Sequence, residues 1–182
     1  MIPPFTANGL LDTRVGYMFR QHSPFEADCV ELVERYGFSP ERRRLLRLLL
    51  EHRAEFYRRG LVRGETMIGG SFLDDCETTL GRPPSDIDAL VILTPNHPVP
   101  PVHVMRKAAE ELTGKAGKER YCIDARMAVP GVVRRQPTYR LIAKMTQLLG
   151  KDRLDRARGI LLIPFDRDRD AKAADLLAAS AD

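Results

Sequence analysis

Apolar residues recur at helical spacing between Pro40 and Arg59, where Leu45, Leu46, Leu49, Leu50, Phe56 and Tyr57 form one stripe and arginines fill many of the other positions. Ser39 before Pro40 is a strong helix start, because a serine side chain accepts from an orphan amide and proline presets φ in the first turn. The pattern predicts a helix over 40–59, stopped by Gly60, with its arginines on the solvent face. A short helix is expected from Glu26 to Arg35, ending before Gly37. Further helices are expected from Val102 to Leu112 and from Pro137 to Leu149, the last closed by Gly150. Four segments read as strands: ETMIG (65–69), DIDALVIL (86–93), YCIDARMAV (121–129) and GILLIPF (159–165). The loop TPNHPVPP (94–101) cannot lie inside a sheet, since proline has no amide to donate. Residues 1–25 show no sustained period and predict an irregular arm packed on the core. The alanine-rich, charged stretch 166–182 predicts a frayed helix or a disordered tail.

These elements order into an α+β fold, a small mixed β-sheet flanked by helices. An N-terminal arm and helical extension (1–64) would pack on a core (65–165) followed by the charged tail (166–182). With 182 residues, 43% apolar and 30% charged, the chain suits one core rather than two. No apolar run approaches the roughly 20 residues that span a bilayer. The start, Met1-Ile2-Pro3-Pro4-Phe5, lacks a signal-peptide pattern, so a soluble cytoplasmic protein with no membrane partner is expected. Cys29, Cys76 and Cys122 are odd in number and widely spaced, which fits neither a disulfide framework nor paired zinc ligands.

The net charge of +4 conceals a segregation. Arg35 to Arg63 holds nine arginines and three glutamates; Gly70 to Leu90 holds Asp74, Asp75, Glu77, Asp86 and Asp88 against Arg82 alone; Arg120 to Arg153 is basic again. Such blocks cover exposed helix faces in many proteins. They also suit a site where carboxylates hold a divalent cation and flanking cations receive a polyanion.

Motif spacing favours the second reading. Asp86 and Asp88 stand at i and i+2 of a predicted strand, so both carboxylates project from one face. Paired acids at the mouth of a strand suit Mg²⁺, which takes a few carboxylate oxygens together with phosphate and water. Upstream, Gly69-Gly70-Ser71 follows a strand directly, and a glycine turn lets backbone amides approach phosphate oxygens.

The combination of Gly69-Gly70-Ser71, a 14-residue spacer (72–85), and Asp86-Ile87-Asp88 followed by ALVIL resembles the signature of the polymerase-beta type nucleotidyltransferase superfamily. From IPPF and NGLL through GGSFLDD to PSDIDALVIL, about Ile2 to Ile163, the chain looks like a small bacterial nucleotidyltransferase-like family with no assigned substrate. The spacer is slightly longer than usual in the superfamily, and it has Phe72-Leu73-Asp74-Asp75 where the minimal antitoxin-type members often carry arginine.

The resemblance implies a nucleotidyltransferase-like core, Mg²⁺ or Mn²⁺, a nucleoside triphosphate as substrate, and a third carboxylate on a later strand, for which Asp124 is the candidate. Asp74 and Asp75 are rivals in the spacer. It implies that Asp86, Asp88 and Asp124 are the catalytic and metal-binding residues, Asp124 also able to take the acceptor's proton. Gly69, Gly70 and Ser71 would seat phosphates, while Arg126, Arg134, Arg135, Arg140 or Lys144 could neutralise the triphosphate. The acceptor would be a tRNA or other RNA, a protein or a small molecule. A different class stays open: a silent nucleotidyltransferase-fold module that acts as antitoxin or regulatory partner of a protein from the same operon, in a toxin–antitoxin or defence system. A third reading is a basic nucleic-acid-binding protein, with Arg42-Arg43-Arg44 as its contact. His22, His52, His97 and His103 form no metal-ligand pattern, and no P-loop occurs.

Overall fold

The computed structural model describes residues 2–15, 21–94, 99–132 and 135–179. His97, Arg134 and the end of the tail lie outside them. A five-stranded mixed sheet, order β3-β7-β4-β5-β6, is built from β3 (Phe25–Glu26), β4 (Gly64–Gly69), β5 (Ile87–Leu93), β6 (Ile123–Ala128) and β7 (Leu161–Pro164). Strand β4 runs antiparallel to both β5 and β7, whereas β5–β6 and β3–β7 are parallel. Two short strands, β1 (Arg14–Val15) and β2 (Gln21–His22), pair separately. The helices are α1 (Cys29–Tyr36), α2 (Pro40–Arg58), α3 (Cys76–Leu80), α4 (Val102–Leu112), α5 (Gly114–Tyr121), α6 (Arg135–Leu149) and α7 (Arg167–Ala179). No helix among the described residues is long and apolar enough to cross a membrane.

Strand alternation divides the core in two. Ile87, Ala89, Val91 and Leu93 of β5 join a cluster with Leu32 of α1, Leu45 and Leu49 of α2, Ala108 of α4 and Leu177 of α7. Leu90, on the opposite face, packs with Met67, Ala128 and Leu149, against Leu141, Ile142 and Met145 of α6. Asp88 is two residues before Leu90 and therefore belongs to the α6 face, at the end of the sheet where α6 stops.

Helix α2 begins as expected, with the Ser39 side chain accepting from the Arg42 amide and proline in the first turn. Its arginines do not all face solvent. Arg42 and Arg53 are fully buried. The Arg53 guanidinium reaches the Asp170 carboxylate (2.7 Å), Thr66 Oγ1 (2.9 Å) and the Pro164 carbonyl (2.6 Å), and Tyr57 donates to the same Asp170 at 2.7 Å. Buried charge persists only where it is paired and hydrogen-bonded, and α7 supplies the partner. The predicted tail is thus an ordered helix over Arg167–Ala179, started by the Asp166 carboxylate accepting the amides of Asp168 and Arg169 and docked through Ala173 and Leu177. The N-terminal arm is only partly irregular, since Phe25–Glu26 extends the sheet as a parallel edge strand.

Burial gives one titration with a readable sign. His52 of α2 is buried against Phe56 and Tyr121, and its Nε2 lies 2.8 Å from the Leu112 carbonyl. Burial holds the imidazole neutral down to about 4, with Arg53 and Arg59 acting in the same direction and the Leu112 contact and Glu55 opposing. The unfolded chain protonates near the ordinary value of about 6.5, so it binds the extra proton first. Stability contributed by neutral His52 is therefore complete above about pH 6.5 and falls by about 3 kcal/mol as pH drops through 4. Denaturant unfolding of wild type and His52→Gln across this range is expected to show a shallower pH slope for the variant.

Candidate active site

Strand β4 delivers Gly69 opposite Asp88 of β5, and the chain then turns through a single 3-10 turn, Gly70–Leu73. Gly70 has φ +74, a left-handed conformation that glycine adopts without penalty. A Cβ at Gly70 would fall 2.0 Å from Asp88 Oδ2, and one at Gly69 would fall 2.6 Å from the Leu149 Cβ of α6. Both glycines are there because a carboxylate and a helix end occupy the space a side chain would need. Ser71 follows on the rim of a cavity of about 1120 Å³.

Asp86 immediately precedes β5, and Asp88 lies within it. The parallel register sets Asp124 of β6 directly beside Asp88. All three predicted acids therefore lie at the same end of the sheet. Burial raises the Asp88 carboxyl above its usual range, and the charges of Asp86 and Asp124 push the same way. Lys118 of α5 answers this concentration of charge. Its Nζ is 2.6 Å from Asp86 Oδ2 and 3.5 Å from Asp124 Oδ2. The Arg126 guanidinium lies 3.0 Å from Asp124 Oδ1. The hydrogen bond from Lys118 to Asp86 holds the ammonium's pKa above its ordinary value. Among the described residues no three His, Cys, Asp or Glu side chains converge, as they stand, into a set able to hold a metal ion.

Ser71, Asp86, Asp88 and Lys118 line the large cavity together with Asp74, Arg82 and the basic loop that follows α6. Asp124, Arg126 and Lys118 line an adjoining cavity of about 450 Å³ with Lys115. Lys118 thus separates the two spaces. Lys144 and Arg140 sit exposed on α6 and line neither; Arg135 begins that helix.

Two buried arginines hold the turn in place. Arg42 donates to the Phe72 and Asp74 carbonyls, both at 2.6 Å, and to both oxygens of Glu77 at 2.7 and 2.8 Å. Arg158 bonds the Asp74 carboxylate and the Lys151 carbonyl. Asp74, a rival in the sequence, is consumed by this ion pair, and Asp75 caps α3 by accepting from the Thr78 amide. Lys118, Arg42 and Arg158 were not legible as site residues. Helix α5 has two glycines and little apolar pattern, and nothing in a run of three arginines distinguishes the buried one.

Residues 3–164 match the model of a family described as a family of unknown function (DUF6932), and the chain belongs to it. No curated protein and no solved structure matches the chain.

Proposed function

We propose that this chain, as a member of that family, has a nucleotidyltransferase-like core and is a metal-dependent nucleotidyltransferase, moving a nucleoside monophosphate from a triphosphate, with release of pyrophosphate, to a hydroxyl of an RNA, protein or small-molecule acceptor. The observation that carries the reading is the placement of Asp86, Asp88 and Asp124 at one end of the sheet, with a glycine turn pressed against Asp88. Ser71 of the turn and the carboxylates of Asp86 and Asp88 line one cavity, which adjoins the smaller one lined by Asp124.

The donor set suits a hard divalent cation, being carboxylate oxygen without thiolate or imidazole. Asp86 and Asp124 already converge on a cation in the form of the Lys118 ammonium. The three aspartates would hold Mg²⁺ or Mn²⁺, which when bound supplies Lewis acidity at a phosphoryl group and lowers the pKa of an acceptor hydroxyl. The Gly70 amide and Ser71 hydroxyl donate to the phosphate oxygens of the substrate. Asp124, facing the smaller cavity beside Lys115 and Arg126, accepts the proton of an acceptor hydroxyl approaching from that side. Lys118, reaching both cavities, offsets negative charge shared between substrate and acids.

Incubation with labelled ATP, CTP, GTP or UTP, Mg²⁺ or Mn²⁺ and cell extract is expected to label an acceptor. The double variant Asp86→Ala, Asp88→Ala should lower that labelling by about 10³-fold or more. Equal labelling by the variant overturns the reading.

One observation favours a second reading, a catalytically silent binding module. Lys118 already places a permanent positive charge between Asp86 and Asp124. Calorimetry with nucleoside triphosphate and Mg²⁺ separates the two, since absence of any binding favours the silent module and metal-dependent binding favours the enzyme.

A further inference from the structure

The connection between α6 and β7 is a built hairpin. Lys151 and Ala157 form an antiparallel bridge, the Asp152 amide donates to the Arg156 carbonyl at 3.0 Å, and the Arg158 amide returns to Gly150 at 2.9 Å. The Asp152 carboxylate accepts the amides of Leu154 and Arg156 at 2.9 and 2.8 Å. Buried Arg158 ties the hairpin to Asp74, three residues after Ser71. Side chains on this hairpin therefore start from a fixed origin, and a ligand that binds them does not have to order a loop.

The hairpin carries four cations and two carboxylates. Both carboxylates are engaged, Asp152 with Arg156 and Asp155 with Lys151, each at 2.7 Å. Arg153 has no ion-pair or hydrogen-bond partner among the described residues, and neither has Arg82, which lines the same cavity. Two uncommitted guanidiniums thus share a cavity with Ser71 and with the acids Asp86 and Asp88. Guanidinium forks bind phosphate oxygens strongly, whereas the acids repel an unaccompanied anion, so the cavity has an electrostatic polarity. No aromatic side chain among the described residues lines it, which disfavours stacked single-stranded RNA as the occupant.

We infer that the Gly150–Arg158 hairpin and Arg82 form a polyphosphate clamp, in which Arg153 and Arg82 hold the terminal phosphates of a nucleoside triphosphate. The orientation, with the α-phosphate toward Asp86 and Asp88, rests on the nucleotidyltransferase reading; the clamp itself does not. It also moves the triphosphate-binding role from Arg126 and Lys144 to the loop after α3 and the hairpin after α6.

Calorimetric titration with inorganic tripolyphosphate in metal-free buffer, and with ATP and AMP in Mg²⁺, tests this. The double variant Arg82→Ala, Arg153→Ala is expected to weaken tripolyphosphate and ATP by about 30-fold or more, with AMP changed by less than about 3-fold. Arg106→Ala, an exposed arginine of α4, should match wild type. Equal binding of tripolyphosphate and ATP by the double variant overturns the clamp and leaves the nucleotidyltransferase reading standing. Loss of both ligands in the variant, with no nucleotidyl transfer by wild type, supports the clamp and removes the enzyme. Failure of wild type to bind tripolyphosphate also overturns it.

Discussion

Arg42→Met is expected to destabilise the protein by about 3 kcal/mol, near the lower end for breaking a buried ion pair because Glu77 keeps some access to water. The substitution leaves two carbonyls and a carboxylate without their donor while keeping most of the side-chain volume. For a chain of this length that corresponds to a fall in melting temperature of about 6–12 °C. Lysine is not expected to rescue it, since one ammonium cannot span Phe72, Asp74 and Glu77 as the planar fork does. Arg44→Met provides the contrast, because Arg44 makes an exposed pair with Glu41 and its loss should cost under about 1 kcal/mol. Thermal melts of the three variants check the prediction. Equal effects at Arg42 and Arg44 would show that the run of arginines is merely solvated.

On the proposed function, Gly70→Ala is expected to lower nucleotidyl transfer by about 100-fold while costing only about 1–2 kcal/mol of stability. The methyl group would meet the Asp88 carboxylate, which must rotate away from the turn. Gly60→Ala separates this from backbone strain. Gly60 has φ +75, and a Cβ there meets nothing within 4 Å among the described residues, so it pays the same conformational cost without touching an acid. Transfer rates and unfolding free energies for both variants should agree in stability and differ in activity. Comparable activity loss in the two would mean that Asp88 is not the group the turn positions.

The parts of this site that could be read in the chain are those whose chemistry is local. The i, i+2 spacing of Asp86 and Asp88, the apolar run behind them and the glycine pair after a strand each state a backbone geometry, and the structure places them accordingly. Asp124 could be singled out as an acid in a downstream strand, but its pairing with Asp88 depends on a parallel register that only the fold sets. Buried charge was the least legible feature. Arg42, Arg53 and Asp170 read as solvent-facing residues, because partners 35 and 117 positions away leave no local periodicity. Lys118 was hidden for a related reason: α5 contains Gly114 and Gly117 and buries only Gly117 and Tyr121, so no stripe announces a helix. The large cavity, by contrast, joins segments from both the acidic and the basic blocks of the chain, and this is where the charge segregation acquires a structural meaning.

We propose that the three aspartates and the glycine turn act together in binding metal and nucleotide. Mn²⁺ binding followed by electron paramagnetic resonance, with and without a non-hydrolysable ATP analogue, addresses it in wild type and Asp88→Asn. Wild type is expected to bind Mn²⁺ more tightly when the analogue is present, and Asp88→Asn to lose at least about 10-fold of that affinity. Mn²⁺ affinity indifferent to the analogue, or unchanged in Asp88→Asn, would contradict it.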